Sequence, residues 1–267
     1  MKLAVAAVAL VFAAAPADYV ASHQQPDGGF AETAGRSDLS LTAWSVLGLV
    51  AAGRTPTRSP AEFMSQQEPV GASELALRIL AFRALRRDAS ADVARLEAMR
   101  RPDGRIGALV NSTIWGVIAL RAGNRPAGTS LPYLLRAQRR NGGWSWHPQG
   151  TADSNDTAAA VEALRASGVP TSSRAVRRGL AYLRRLQRSD GGFALQPGRS
   201  SDAQSTAWAI QAFLASGRKP GAAAFRYLSS LRRPDGSYRY SKRYVTTPVW
   251  VTAQVLPALA RRAFPLG

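Results

Sequence analysis

The sequence predicts an all-α, single-domain chain of six helical hairpins. A short phrase recurs along it: QQPDGGF at residues 24–30, RRPDGRI at 100–106, QRRNGGW at 138–144, QRSDGGF at 187–193 and RRPDGSY at 232–238. A helical pattern precedes each copy, a second follows it, and no Pro-, Ser- or Gly-rich linker divides the chain. A phrase returning every ~40 to 50 residues marks stacked units that bury their cores only against one another.

The first helix of each unit is seen best at residues 175–187, where Leu180, Leu183 and Leu186 share one face. The Asp/Asn-Gly phrase then stops it, because glycine takes the left-handed conformation and Asp or Asn tolerates it. The trailing aromatic, Phe30, Trp144, Phe193 or Tyr238, is expected in the inter-repeat core. The second helix is clearest over residues 202–216, with Gly217 as its stop. Aligned second helices read Leu41-Thr42-Ala43-Trp44, Ser112-Thr113-Ile114-Trp115, Asp156-Thr157-Ala158-Ala159, Ser205-Thr206-Ala207-Trp208 and Thr247-Pro248-Val249-Trp250. A worn copy sits at Glu74-Leu75-Ala76-Leu77, with its turn decayed to residues 66–71. Gly28 and Gly104 lie 76 residues apart, room for two units, so the expected total is six units and twelve helices.

Apolar residues make up 46% of the 267, ample for one core. The net charge of +18 suggests nucleic acid or an anionic surface, but only three of the 35 basic residues are Lys. Pairs such as Arg139-Arg140 and Arg184-Arg185 fall at helix ends, where cations complement backbone carbonyls. No recognition motif or aromatic-basic platform accompanies the charge, so no nucleic-acid partner is expected. With no cysteine, disulfides and thiolate metal sites are excluded.

Residues 1–17 carry Lys2, an apolar run over 3–15 and a small-x-small end at Ala15-Pro16-Ala17. This is the pattern of an export signal cleaved after Ala17, which places the protein in the envelope or outside the cell and leaves 18–267 as the folded domain. The alternative is a buried helix in a cytoplasmic protein, since Tyr19 aligns with Tyr182 and the first unit should begin near Pro16. The run is too short for a transmembrane span.

Six hairpins could form an open solenoid or a closed ring. The order Gln, GG-aromatic, short loop, D-x-x-[DS]-T-A resembles the repeats of squalene and hopene cyclases and of protein prenyltransferase β subunits. The stretch Ser205-Thr206-Ala207-Trp208-Ala209-Ile210-Gln211-Ala212 is similar to cobalamin-carrier α domains. The resemblance implies an (α/α)6 toroid, with inner helices around a central cavity and an outer ring. Cobalamin carriers hold the corrinoid against a second domain, so that role would need a partner chain. Class II cyclases usually carry a second helical domain, for which this length leaves no room.

Asp153-Ser154-Asn155-Asp156-Thr157-Ala158 resembles the D-x-D-D-T-A box of class II terpene cyclases, whose middle Asp protonates an alkene or epoxide. Asn155 stands at that position, and an amide cannot supply the proton. Asp153 and Asp156 remain as a candidate catalytic pair, three residues apart on one helical face. Asp38, Asp153 and Asp202 share one repeat position ahead of a second helix, which reads as capping. Asp156 is the exception in its column, where only Glu74 also brings an acid.

Protein prenyltransferases use zinc with Cys and His ligands; here there are only His23 and His147, so no metal and no cofactor is expected. A magnesium-diphosphate D-D-x-x-D box is absent, and neither histidine has a triad partner. Trp44, Trp115, Trp208 and Trp250 form a column with Ala159 as its gap. Facing the cavity they would bind an apolar ligand, with Glu74 beside them; facing outward they would be core, which their regularity favours. The expected function is binding of an apolar, isoprenoid-like molecule or lipid without the family's acid or zinc. The alternatives are metal-independent isoprenoid cyclisation by Asp153 and Asp156, and a cationic module docked on an anionic envelope polymer.

Overall fold

The computed structural model describes residues 15–266, which form twelve α-helices and one two-stranded ribbon. The helices are α1 Pro16–Ala21, α2 Leu39–Ala51, α3 Pro60–Ser65, α4 Gly71–Ala84, α5 Ser90–Ala98, α6 Val110–Ala122, α7 Ser130–Ala137, α8 Ser154–Ala166, α9 Arg174–Leu186, α10 Ala203–Ala215, α11 Ala222–Leu231 and α12 Pro248–Leu259. Strands β1 Phe193–Ala194 and β2 Ser201–Asp202 pair antiparallel between α9 and α10. No described helix is long and apolar enough to cross a membrane. The expected leader lies outside the described residues except for its last three; α1 begins at Pro16, so cleavage after Ala17 would remove its first two residues.

Even-numbered helices form a closed inner ring in which each packs on the next and α12 packs on α2, with the odd-numbered helices outside. The sequence dictates this division. Inner α6 buries eleven of its thirteen residues, as an all-round apolar helix must, whereas outer α9 buries six along one face. The expected (α/α)6 toroid is therefore the observed fold.

The recurring phrase is the joint of each hairpin. Asp27 and Asp190 each accept a hydrogen bond from the backbone N–H two residues on. The following residue buries its side chain and donates its N–H to a threonine hydroxyl on the inner helix: Phe30 to Thr42 at 2.9 Å, Ile106 to Thr113 at 3.0 Å, and Trp144 to Thr157, Phe193 to Thr206 and Tyr238 to Thr252, each at 2.9 Å. Gly191 has φ +88°, and a Cβ there would lie 2.6 Å from the Ala223 carbonyl oxygen of α11, in the next repeat. The phrase does not itself stop α9, which ends at Leu186 where Gln187 turns extended; Gly191 closes the turn that follows and sets the step to the neighbouring hairpin. In the worn repeat, Leu75 replaces the threonine, and Arg78 holds the turn by donating to the Gln67 carbonyl at 2.6 Å while pairing with Asp92.

Ring closure uses two devices the sequence did not reveal. Gly48 of α2 sits where a Cβ would be 2.5 Å from the Ala253 carbonyl oxygen, so the seam helices touch backbone to backbone. Glu32, in the loop after the first turn, accepts from the Val249 and Trp250 backbone N–H groups at 3.0 and 2.8 Å and so caps α12, whose own N-cap Thr247 makes no side-chain cap. Thr206→Val should cost about 1–3 kcal/mol by orphaning the Phe193 N–H. Glu32→Ala should lower the melting temperature by loosening the seam; calorimetry of both variants at one pH checks each.

Candidate ligand cavity and acid pair

The threonine register turns one repeated sequence position into a ring around the toroid axis. Two residues before the threonine column stand Ser40, Ser73, Asn111, Asn155, Gln204 and Trp250, and all six line a central cavity of about 430 Å³. One helical turn deeper the ring is Trp44, Leu77, Trp115, Ala159, Trp208 and Gln254; all but Ala159 line the same cavity. The sixth repeat departs from the sequence alignment. Thr252, not a residue near Thr247, bonds the turn, so Gln254 takes the deep position and Trp250 the upper one. Val251 rather than Thr247 therefore matches Asp156.

The tryptophans correct the expectation that their regularity puts them in the outer core. Trp44, Trp115 and Trp208 point inward and meet edge to face, with ring centroids 5.2–5.4 Å apart. Edge-to-face contact sets the positive rim of one indole against the negative face of the next. Phe264, in the segment after α12, closes the cluster at 5.9–6.1 Å from all three rings. Trp208 Nε1 donates to Gln254 Oε1 at 3.3 Å, and Gln204 donates to the same oxygen at 2.7 Å. Trp146, half exposed at the mouth, and Leu195 complete the apolar wall. Both follow a turn aromatic by two residues, a spacing that could have revealed them.

Asp153 caps α8 by accepting from the Asp156 N–H at 2.8 Å, as Asp38 and Asp202 cap α2 and α10 at 2.7 Å, so the capping reading holds. What differs is the residue being capped. At Asp202 it is Ser205, whose hydroxyl donates to the second carboxylate oxygen at 2.7 Å. At Asp153 it is Asp156, a second carboxyl, 3% exposed. Two buried carboxyls in contact cannot both ionise cheaply. Burial, then the Asp156 charge, pushes Asp153 up to about 8, and burial raises Asp156 as well, against the Asn111 amide that donates to it at 2.7 Å.

Both acids line the cavity together with Asn155, whose Oδ1 accepts from the Ser154 hydroxyl at 3.1 Å. Glu74 also lines it, but its oxygens accept from the Ser40 hydroxyl at 3.1 Å and the Val70 N–H at 2.7 Å. The lining thus holds three acids, amides, hydroxyls and indoles, and no basic side chain. His147 is exposed in the loop before α8, and His23 is half-buried with Nδ1 2.8 Å from the Tyr19 carbonyl.

Glu162, fully buried on α8 three residues beyond Ala159 of the tryptophan layer, is a residue that sequence reasoning missed. One oxygen accepts from the Phe264 N–H at 2.6 Å, and the other has no hydrogen-bond partner. Burial pushes its carboxyl up to about 8. A raised carboxyl pKa supplies stability that is present below the ordinary carboxylate range and lost as pH rises through the folded value. Glu162→Gln, which cannot ionise in either state, should therefore gain stability over the parent increasingly as pH rises from 5 to 8, by roughly 3 kcal/mol at pH 7, read as a rising melting-temperature difference. A difference that is flat across that range would contradict it.

Comparison with known proteins agrees with this geometry. Residues 104–266 match the squalene-hopene cyclase C-terminal domain, and residues 3–111 match the prenyltransferase alpha-alpha toroid domain. A drimenyl diphosphate synthase of Streptantibioticus cattleyicolor is 34% identical over 199 residues, covering 60% of this chain and 37% of that protein, so this chain matches little over a third of its relative's length. Among solved structures, a protein from Actinoplanes has 21% identity and a TM-score of 0.71, covering 92% of this chain and 97% of that one. The apo type II terpene cyclase MstE from Scytonema has 16% identity and a TM-score of 0.68, covering 92% and 95%. The ent-copalyl diphosphate synthase of Streptomyces platensis has 20% identity and a TM-score of 0.64, covering 84% and 50%. These structural likenesses show the toroid; the match over 104–266 spans more than half the chain, which therefore belongs to the family of the squalene-hopene cyclase C-terminal domain.

Proposed function

We propose that the protein binds an isoprenoid chain in its central cavity and does so without the proton donor its family uses. The observation that carries this is the cluster of Trp44, Trp115 and Trp208 lining a cavity of about 430 Å³, within the range of small-molecule sites. Indole faces suit branched hydrocarbon and also attract positive charge. Relatives point the same way: one is named for drimenyl diphosphate, and the Scytonema cyclase has been solved in complex with geranylgeranyl dihydroxybenzoate. Titration with farnesol or geranylgeraniol should quench tryptophan fluorescence saturably, and Trp115→Ala should weaken the binding. Absence of saturable quenching for both alcohols would overturn the reading.

A second reading, metal-independent cyclisation, is favoured by the Asp153 and Asp156 pair, which retains a proton and faces the indoles. The carboxyl would pass that proton to a terminal alkene carbon, leaving a carbocation over the tryptophan faces. Its difficulty is the direction of the pKa: burial that keeps the proton on Asp153 also makes it a weaker acid. Under this reading farnesyl diphosphate yields a cyclised product that Asp156→Asn abolishes; turnover unchanged in that variant would reject it. Under the first reading only Asn155→Asp, which restores the family's acid, brings measurable product.

Export belongs to the same proposal, supported by Lys2, the apolar run and Ala15-Pro16-Ala17. N-terminal sequencing of protein from its host should begin at Asp18. A retained N-terminus would assign the run to the folded domain instead.

A further inference from the structure

A second pocket, of about 500 Å³, adjoins the cavity and shares Leu195 with it. Its chemistry is the opposite. Arg199, Lys242 and Arg243 line it beside Ser200, Tyr240 and Tyr244. The walls are the loop over residues 195–200 and the loop over 239–247. Hydrogen bonds from Ser154 N–H to the Leu195 carbonyl at 2.9 Å and from Ala203 N–H to the Tyr240 carbonyl at 2.7 Å pin both walls to the inner-helix ends, at the cavity mouth.

The cations are under-neutralised. Among the described residues the Arg199 guanidinium has no ion-pair or hydrogen-bond partner, the Arg243 guanidinium only stacks on Tyr244 at 5.2 Å, and Lys242 reaches Asp190 at no closer than 3.9 Å. The hydrogen bonds that Asp190 accepts from the Gly192 N–H and the Ser201 hydroxyl both fall on Oδ1, and its Oδ2 is the oxygen turned to Lys242. Asp202, the other acid in the lining, is committed to capping α10, and burial raises its pKa.

Charge thus changes along one path: the cavity lining holds acids and no cation, while the pocket beside it sets Arg199, Lys242 and Arg243 against Asp190 and Asp202. An anion in the cavity would face Glu74, Asp153 and Asp156 with no cation to meet it. We propose that the Arg199, Lys242 and Arg243 pocket holds the anionic headgroup, diphosphate or carboxylate, of a ligand whose isoprenoid chain occupies the cavity. This rests on the isoprenoid reading above. Leu195 is the sill over which such a molecule bends, and arginine suits the headgroup because its planar fork pairs with phosphate or carboxylate oxygens in two parallel bonds.

The full chain is titrated with farnesyl diphosphate, farnesoic acid and farnesol, read by quenching of the cavity tryptophans. At least one anion should bind about tenfold or more tightly than farnesol, since a single charge-assisted contact supplies that much. The preference should shrink with added salt. It should largely vanish in Arg199→Ser/Arg243→Ser, whose exposed positions leave the fold and the farnesol affinity intact. Lys242→Ser should weaken it in part. Whichever anion is preferred identifies the headgroup. Equal binding of all three molecules, or a preference that survives the double variant, overturns the headgroup site and leaves the cavity reading standing; failure of all three to bind overturns both.

Discussion

The hydrogen bond from the turn's backbone N–H to a threonine on the inner helix, made in five of the six repeats, is the contact on which the rest of the toroid depends. It is made at Thr42, Thr113, Thr157, Thr206 and Thr252, inside the core, where an unpaired amide would be costly. Because it ties a fixed point of the turn to a fixed point of the inner helix, it sets both the depth and the rotation of that helix. The residues two before and two after the threonine position therefore line the cavity, Ala159 excepted. The upper polar ring and the lower indole ring follow from that register.

The same logic gives one copy of a structural device a chemical character. Asp38, Asp153 and Asp202 perform identical capping. A serine next to Asp202 supplies a donor, whereas Asp156 next to Asp153 supplies a second carboxyl in a buried place, so a proton stays in the pair. The difference in character between these two caps therefore comes from one altered neighbour.

Much of this was legible from the residues. Turn phrases, helix stops, the six units and the capping role of Asp153 follow from local backbone rules that tertiary packing does not override. The direction of the tryptophan column was not, because a repeated apolar residue satisfies a core and a cavity equally well, and only the rotation set by the threonines separates them. The sixth repeat misled for a related reason: Thr247 and Trp250 imitate the motif while the bonding threonine is Thr252. Glu32, Gly48, Glu162 and Phe264 act between segments far apart in the chain, which no local pattern records. The basic pocket lay hidden in a chain whose arginines are everywhere, and it stands out only where Leu195 joins it to the cavity.

The most direct test of the central claim is mass spectrometry of an organic extract of the protein purified gently from its own host. The account predicts a stoichiometric isoprenoid that is lost when the tryptophan cluster is disrupted by Trp115→Ala. An extract that is empty, or whose content is the same in that variant, would contradict it.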